Sequence, residues 1–135
     1  MFLVVSLPGL AACGKSKSSS TTSSSVATST RPTTTAKIFI VSPTASEVTG
    51  PNITLQFRLV GGEVVPAATK PEGGTKGHIH VFVDDQLVSM AFGTTQPLNG
   101  LSPGQHSLRA EFVATDHLPF RNRQIAEVLF CVTHC

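Results

Sequence analysis

Two histidines, His78 and His80, stand two residues apart in a run of apolar and β-branched residues. Alternate residues of a β-strand point to the same face, so the two imidazoles are expected side by side. Ring nitrogens placed in this way can bind one metal ion, and imidazole suits copper and zinc. A site needs three or four ligands, and His117, which follows the end of a later strand, is the candidate third. The alternative is a pair of histidines that packs on the outer face of the sheet beside Phe82.

The last five residues hold a second group with possible chemistry, formed by Cys131, His134 and Cys135. Three states of the cysteines are open: a disulfide, free thiols, or two ligands that join His134 around a soft metal ion. Residues four apart on a straight strand lie about 13 Å apart, whereas the Cα atoms of a disulfide lie about 5.5 Å apart. A Cys131–Cys135 disulfide therefore requires the chain to turn after Val132.

A further histidine, His106, shares its face of a predicted strand with Leu108 and Phe112. We expect it to point toward the core and to hydrogen-bond a backbone carbonyl, as a structural corner residue. Asp84 and Asp85 predict a turn between strands, and they are a weaker candidate for binding calcium.

The elements that must position these residues read as β-strands. Ile53, Leu55, Phe57 and Leu59 alternate with polar residues, which indicates a strand with one wet face, and no stretch shows a helical period. Strands are predicted at 37–41, 52–60, 64–65, 78–83, 86–90, 95–98, 105–115 and 125–132. About seven main strands within residues 36–135 predict an all-β, antiparallel, immunoglobulin-like β-sandwich.

The composition agrees with this fold class and argues against one group of partners. Charged residues are only 13% of the chain, with 11 Gly and 9 Pro, which suits a β protein with many turns. From Ala36 onward there are 7 basic and 8 acidic residues, a balance of −1. This part of the chain therefore lacks the basic surface that nucleic-acid binding requires.

The beginning of the chain indicates export. Residues 2–12 are mostly apolar and uncharged, too short a run to span a bilayer, which needs about 20 residues, and typical of a signal peptide. The sequence Leu10-Ala11-Ala12-Cys13 resembles the lipobox of bacterial lipoproteins. This resemblance implies cleavage before Cys13, lipidation of Cys13, and anchoring at the periplasmic or extracellular face of a bacterial membrane.

A tether follows the predicted anchor. Of residues 16–35, 15 of 20 are Ser or Thr, and such a stretch has too little apolar surface to fold. The predicted organisation is a signal peptide at 1–12, a lipidated Cys and linker at 13–35, and one domain at 36–135.

Two further motifs carry resemblances. The stretch 100–110, Gly-Leu-Ser-Pro-Gly-Gln-His-Ser-Leu-Arg-Ala, resembles the turn into the penultimate strand of bacterial immunoglobulin-like and fibronectin-like domains, with His106 at the usual aromatic position. The stretch 77–84, which begins Gly-His-Ile-His, together with Asp116-His117, resembles a group of small exported bacterial domains. Both resemblances imply the fold and assign no activity.

The residue inventory favours a protein that is not an enzyme. No Ser-His-Asp set stands in a recognisable nucleophile elbow, and the sparse carboxylates do not suggest paired-carboxylate hydrolysis. We expect a membrane-anchored binding or structural module of the cell envelope, with a protein or a wall polymer as its ligand. The alternative is a lipoprotein that handles copper or zinc through His78 and His80.

Overall fold

The computed structural model describes residues 30–135, and its secondary structure is a series of β-strands. The predicted signal peptide, the lipidation site Cys13 and most of the predicted tether lie outside the described residues. In chain order the strands are β1 (Lys37–Ser42), β2 (Val48–Thr49), β3 (Ile53–Val60), β4 (Glu63–Val64), β5 (Lys76–Val83), β6 (Gln86–Ala91), β7 (Thr95–Leu98), β8 (Gly104–Ala114) and β9 (Pro119–Val132).

The strands form two sheets. One has the order β1-β3-β7, and the other has the order β2-β9-β8-β5-β4, with β6 also paired to β5. The long neighbours are antiparallel, whereas the two-residue strands β2 and β4 lie parallel to β9 and β5. Two sheets of this strand order, whose long strands are antiparallel, make an immunoglobulin-like β-sandwich, so the predicted fold class is confirmed.

The core lies between the two sheets and is built from alternate residues of each strand. β3 contributes Leu55 and Phe57, β5 contributes Ile79 and Val81, and β8 contributes Phe112, all 5% exposed or less. Burial of one large apolar side chain is worth about 1.5–3 kcal/mol. This alternation decides which face of β5 points inward and which carries the histidines.

The strand predictions from alternation correspond to strands in the structure, and the differences have a physical cause. β9 begins at Pro119, six residues before the predicted start at 125. The polar stretch 121–124 hides this half of the strand because its residues do not alternate between apolar and polar. The short strand β2 has no signal of its own, since its two residues pair only with the distant β9.

The chain packs against the sandwich from Arg31 onward, earlier than the predicted domain start at Ala36. The carbonyl oxygen of Pro32 accepts a hydrogen bond from the backbone N–H of Arg121 at 2.9 Å. The side chain of Asn122 accepts from the N–H of Thr34 and donates to its carbonyl, at 2.8 and 2.7 Å. A side-chain amide can do both, and these long-range contacts are not visible as a local sequence pattern.

Within residues 30–135 there is no helix with the length and apolarity needed to cross a membrane.

Gly77 allows β5 to approach β8 closely just before the first histidine. A Cβ atom added there would collide with the carbonyl oxygen of Val113, which is backbone and cannot swing aside. We predict that Gly77→Ala lowers the free energy of unfolding by about 1–3 kcal/mol, measured by urea denaturation. Gly93→Ala is the matched control, because nothing lies within 4 Å of its Cβ position. Equal effects of the two substitutions would contradict the close packing at Gly77.

Candidate metal centre

Strand β5 holds His78 and His80 on the face opposite Ile79 and Val81. Both faces of the strand are covered, and His78 is 0% exposed and His80 9% exposed. The pair therefore lies on the face of the sheet that points away from the core, and it is buried there. Two titratable rings kept out of water in this way need either hydrogen-bond partners or another ligand for their nitrogens.

The turn between β8 and β9 brings His117 to the same place. Its backbone N–H donates to the carbonyl of Ala114 at 3.1 Å, and the N–H of Ala114 donates to the carbonyl of Leu118 at 3.0 Å. His117 has a φ of 65°, in the left-handed region that His tolerates better than most residues. The side chain of His117 is exposed, so it forms the solvent side of the cluster.

The three imidazoles converge through one nitrogen each. Nε2 of His78 lies 3.2 Å from Nε2 of His80 and 3.0 Å from Nδ1 of His117, and all three donor atoms lie within 4.8 Å of one another. Ligand nitrogens at 2.0–2.1 Å from a tetrahedral ion would be about 3.3 Å apart. The two short separations in the cluster are close to that value.

The local electrostatics keep the buried rings neutral. Burial, and then the neighbouring His80 and His117, lower the pKa of His78 from 6.5 to about 4, against a smaller opposing effect of Asp116. Burial and His117 likewise lower the pKa of His80. Near neutral pH both rings therefore carry free lone pairs, the form in which imidazole binds a metal ion.

His78 has one unusual feature. Its Nδ1 is buried and has no hydrogen-bond partner among the described residues, whereas a ligating imidazole usually donates its second N–H to a partner. The ring of Phe92 lies against it, with ring centroids 5.1 Å apart. The orientation of His78 is therefore fixed by packing and not by a second hydrogen bond.

The carboxylate nearest to the histidines in the sheet is already paired. Glu111 lies opposite His80 across the β5–β8 pairing and is 3% exposed. Arg123 donates to both of its carboxylate oxygens at 2.6 Å. Glu111 is thus held by a cation and is not a free ligand.

Apolar side chains line the open side of the cluster. Met90 lies directly opposite His80 across the β5–β6 pairing, and Phe92 and Leu118 stand beside His78 and His117. These three side chains are 41%, 53% and 53% exposed. Two buried histidines and one exposed histidine thus have exposed apolar residues as neighbours in the sheet and in the turn.

His106, predicted as a corner residue, lies away from this cluster at the other end of β8. Its Nε2 is 2.7 Å from the carbonyl oxygen of Ser102, and its Nδ1 is 2.7 Å from a carboxylate oxygen of Asp84. The Ser102 carbonyl, and then Asp84, raise the pKa of His106. Asp84 also accepts a hydrogen bond from the N–H of Ser107, so its carboxylate serves this corner and is not set up for calcium.

The C-terminal group forms a disulfide between Cys131 and Cys135, with Cα atoms 5.9 Å apart. The chain turns after Val132, where Thr133 has a φ of 65° and the N–H of His134 donates to the carbonyl of Val132 at 2.7 Å. With both sulfurs bonded to each other, the thiolate ligands of a Cys–His–Cys metal site are not available.

The three histidines of the cluster were predicted from the sequence, but the ion pairs beside them were not. Arg31, Asp116, Glu111 and Arg123 form two ion pairs beside the site, and none was assigned a role. The sequence features that could have identified these groups are the position of Asp116 next to His117 and the isolated Arg31 near the end of the Ser/Thr-rich stretch.

Fold and site together define a class: an immunoglobulin-like β-sandwich domain with a three-histidine cluster, two of whose members are buried on strand β5 and one exposed in the β8–β9 turn. No protein-family model matches the sequence, and a search of curated proteins finds no match.

Solved structures with a similar chain trace are distant in sequence. Fibronectin(III)-like modules of Clostridium thermocellum CbhA are 22% identical with a TM-score of 0.48, over 70% of this chain and 93% of that chain. A CARDB domain from Pyrococcus furiosus is 15% identical with a TM-score of 0.45, over 75% and 96%. A lytic polysaccharide monooxygenase of Jonesia denitrificans is 18% identical with a TM-score of 0.41, over 67% of this chain and only 60% of that one. Likenesses of this size carry no inference about a ligand or an activity.

The lowered pKa of His78 predicts acid sensitivity of the metal-free protein. A folded pKa of about 4 against an unfolded value near 6.5 gives stability that is present above pH 6.5 and lost as the pH falls toward 4. For His78 alone the loss between pH 7 and pH 5 is about 2 kcal/mol. The measurement is urea denaturation at both pH values.

His78→Phe supplies the comparison, because it removes this titration and keeps an aromatic ring. The raised pKa of His106 contributes with the opposite sign, so the difference between wild type and variant is the relevant quantity. A variant with the same pH dependence as the wild type would show that His78 is not held neutral by its surroundings.

Proposed function

We propose that this protein is a membrane-anchored, non-enzymatic module of the bacterial cell envelope that binds one copper or zinc ion through His78, His80 and His117. The observation that carries the metal part is the convergence of three imidazole nitrogens on one point. Nε2 of His78 lies 3.2 and 3.0 Å from the nitrogens of its two neighbours. His78 and His80 are buried and burial lowers the pKa of both, so near neutral pH they carry the lone pairs with which imidazole binds a metal ion.

The donor set favours copper or zinc over harder ions. Imidazole suits zinc and copper, whereas calcium and magnesium take oxygen ligands. The two carboxylates nearest the cluster, Glu111 and Asp116, are each bound by an arginine. The site therefore offers three nitrogens and no free carboxylate oxygen.

The open side of the cluster supports a role in taking up and releasing an ion. Structural zinc sites are closed by four protein ligands, whereas three ligands leave a position open. His117 is exposed, so an ion can enter and leave without unfolding of the strands. Met90, on the edge strand β6, lies opposite His80 in the β5–β6 pairing and is 41% exposed.

The envelope part of the proposal rests on the sequence. The lipobox Leu10-Ala11-Ala12-Cys13 and the Ser/Thr-rich stretch after it support a lipid anchor with a spacer. A domain held near a membrane in this way could also bind a protein or a wall polymer, the broader role that the sequence alone favours. The three-histidine cluster is the feature that favours metal as the ligand.

Metal content tests the proposal. The purified full-length chain is offered copper or zinc, freed of excess, and its bound metal is counted by mass spectrometry. We expect about one ion per chain in the wild type, and a loss of at least about 100-fold in affinity for His78→Ala/His80→Ala, since two of three ligands are gone. Saturation at 100 times the dissociation constant should stabilise the folded chain by about 2.7 kcal/mol.

His134→Ala is the matched control, because His134 is an exposed histidine outside the cluster. No retained ion in the wild type, or equal retention in wild type and double variant, would refute the site. An equal loss in His134→Ala would place the metal elsewhere.

A further inference from the structure

The N-terminal segment meets the His117 turn through a single side chain, Arg31. Its guanidinium donates to both carboxylate oxygens of Asp116, with Nη2 2.9 Å from Oδ1. The same group donates to the carbonyl of Leu118 at 2.9 Å and to that of Pro119 at 3.1 Å. One guanidinium thus binds three residues around His117, namely Asp116, Leu118 and Pro119.

These contacts hold the backbone on both sides of His117. Asp116 precedes it and Leu118 follows it, and the N–H of Leu118 also donates to the Asp116 carboxylate at 3.3 Å. His117 itself has a positive φ, a conformation that a non-glycine residue keeps only when its surroundings impose it. Arg31 contacts this turn from outside it, through Asp116 and the carbonyl of Leu118.

We infer that Arg31 is a positioning residue of the three-histidine site, so that docking of the N-terminal segment and binding of the metal ion are coupled. This inference rests on the function proposed above. When Arg31 is docked, His117 is held 3.0 Å from His78 and the ion meets three imidazoles. When Arg31 is released, the turn relaxes, the exposed His117 leaves, and two imidazoles remain.

The coupling must act in both directions. If docking of Arg31 raises the affinity for the ion by some factor, then the bound ion strengthens docking of the N-terminal segment by the same factor. The segment that leads back to the predicted anchor is thus the segment that completes the site. If the Arg31–Asp116 ion pair only stabilised the fold, its removal would leave the coordination of the ion unchanged.

The test compares the full-length wild type with Arg31→Gln, which removes the guanidinium and its charge, and with Asp116→Asn, which removes the charge and keeps the side-chain shape. Arg121→Gln is the matched control, since Arg121 is an exposed arginine on β9 outside the clamp. We expect copper affinity to fall by about 10- to 100-fold in the two clamp variants, the usual range for groups that orient a ligand. The electron paramagnetic resonance spectrum of bound Cu²⁺ should change from three nitrogen ligands to two.

The reverse direction is measured by hydrogen exchange. In the wild type, loading with zinc should slow exchange of the Thr34 and Arg121 amides, which pair the N-terminal segment with β9. In Arg31→Gln the same loading should leave these amides unchanged. If Arg31 only stabilised the fold, loading with zinc would not change the exchange of these amides in the wild type.

Unchanged copper affinity and a three-nitrogen spectrum in both clamp variants would overturn the inference. If the wild type itself binds no metal, the proposed function fails, and the positioning of His117 by Arg31 is tested separately in the metal-free protein. The ring centroids of His78 and His117 are 4.6 Å apart, close enough for cross-relaxation between ring protons in NMR. Loss of that signal in Arg31→Gln, but not in Arg121→Gln, would support positioning by Arg31, and its persistence would overturn it.

Discussion

The pairing of β5 with β8 is the constraint on which the rest of the structure depends. It runs from Gly77 opposite Ala114 to Val83 opposite Leu108, and Gly77 lets the two backbones approach without a Cβ between them. Because the inward residues of both strands fill the core, the outward residues are fixed in place as well. The positions of His78, His80 and Glu111 in the sheet are therefore fixed. The polar atoms of their side chains must find hydrogen-bond or ionic partners there.

The polar groups on this face are treated in two different ways. The buried carboxylate Glu111 is matched by Arg123 at hydrogen-bond distance, the usual requirement for a buried charge. The buried imidazoles of His78 and His80 have lowered pKa values, and the polar contacts of their rings are with each other and with His117. The carboxylate of Glu111 is therefore neutralised by an ion pair, whereas the three imidazole nitrogens face one another.

Sequence reasoning reached the fold but only part of the site. Leu55 and Phe57 show their strand by alternation, and the spacing of His78 and His80 fixes their common face. The first half of β9 stayed hidden because Arg121 and its neighbours do not alternate. The Arg31–Asp116 pair joins residues 85 positions apart, and contacts of that kind depend on the tertiary structure. His117 could be named as a candidate from its place after a strand, but not positioned.

The long strand β9 gives the domain two poles. It starts at Pro119, beside Arg31, and ends at Val132, inside the loop that the Cys131–Cys135 disulfide closes. The N-terminal segment contacts the residues that follow β8, whereas the last residues of β9 pair with the first residues of β8, so the first described residues and the last lie at opposite ends of β8. The histidine cluster therefore lies at the end of the domain that the N-terminal segment contacts, whereas His106 and the disulfide lie at the other end.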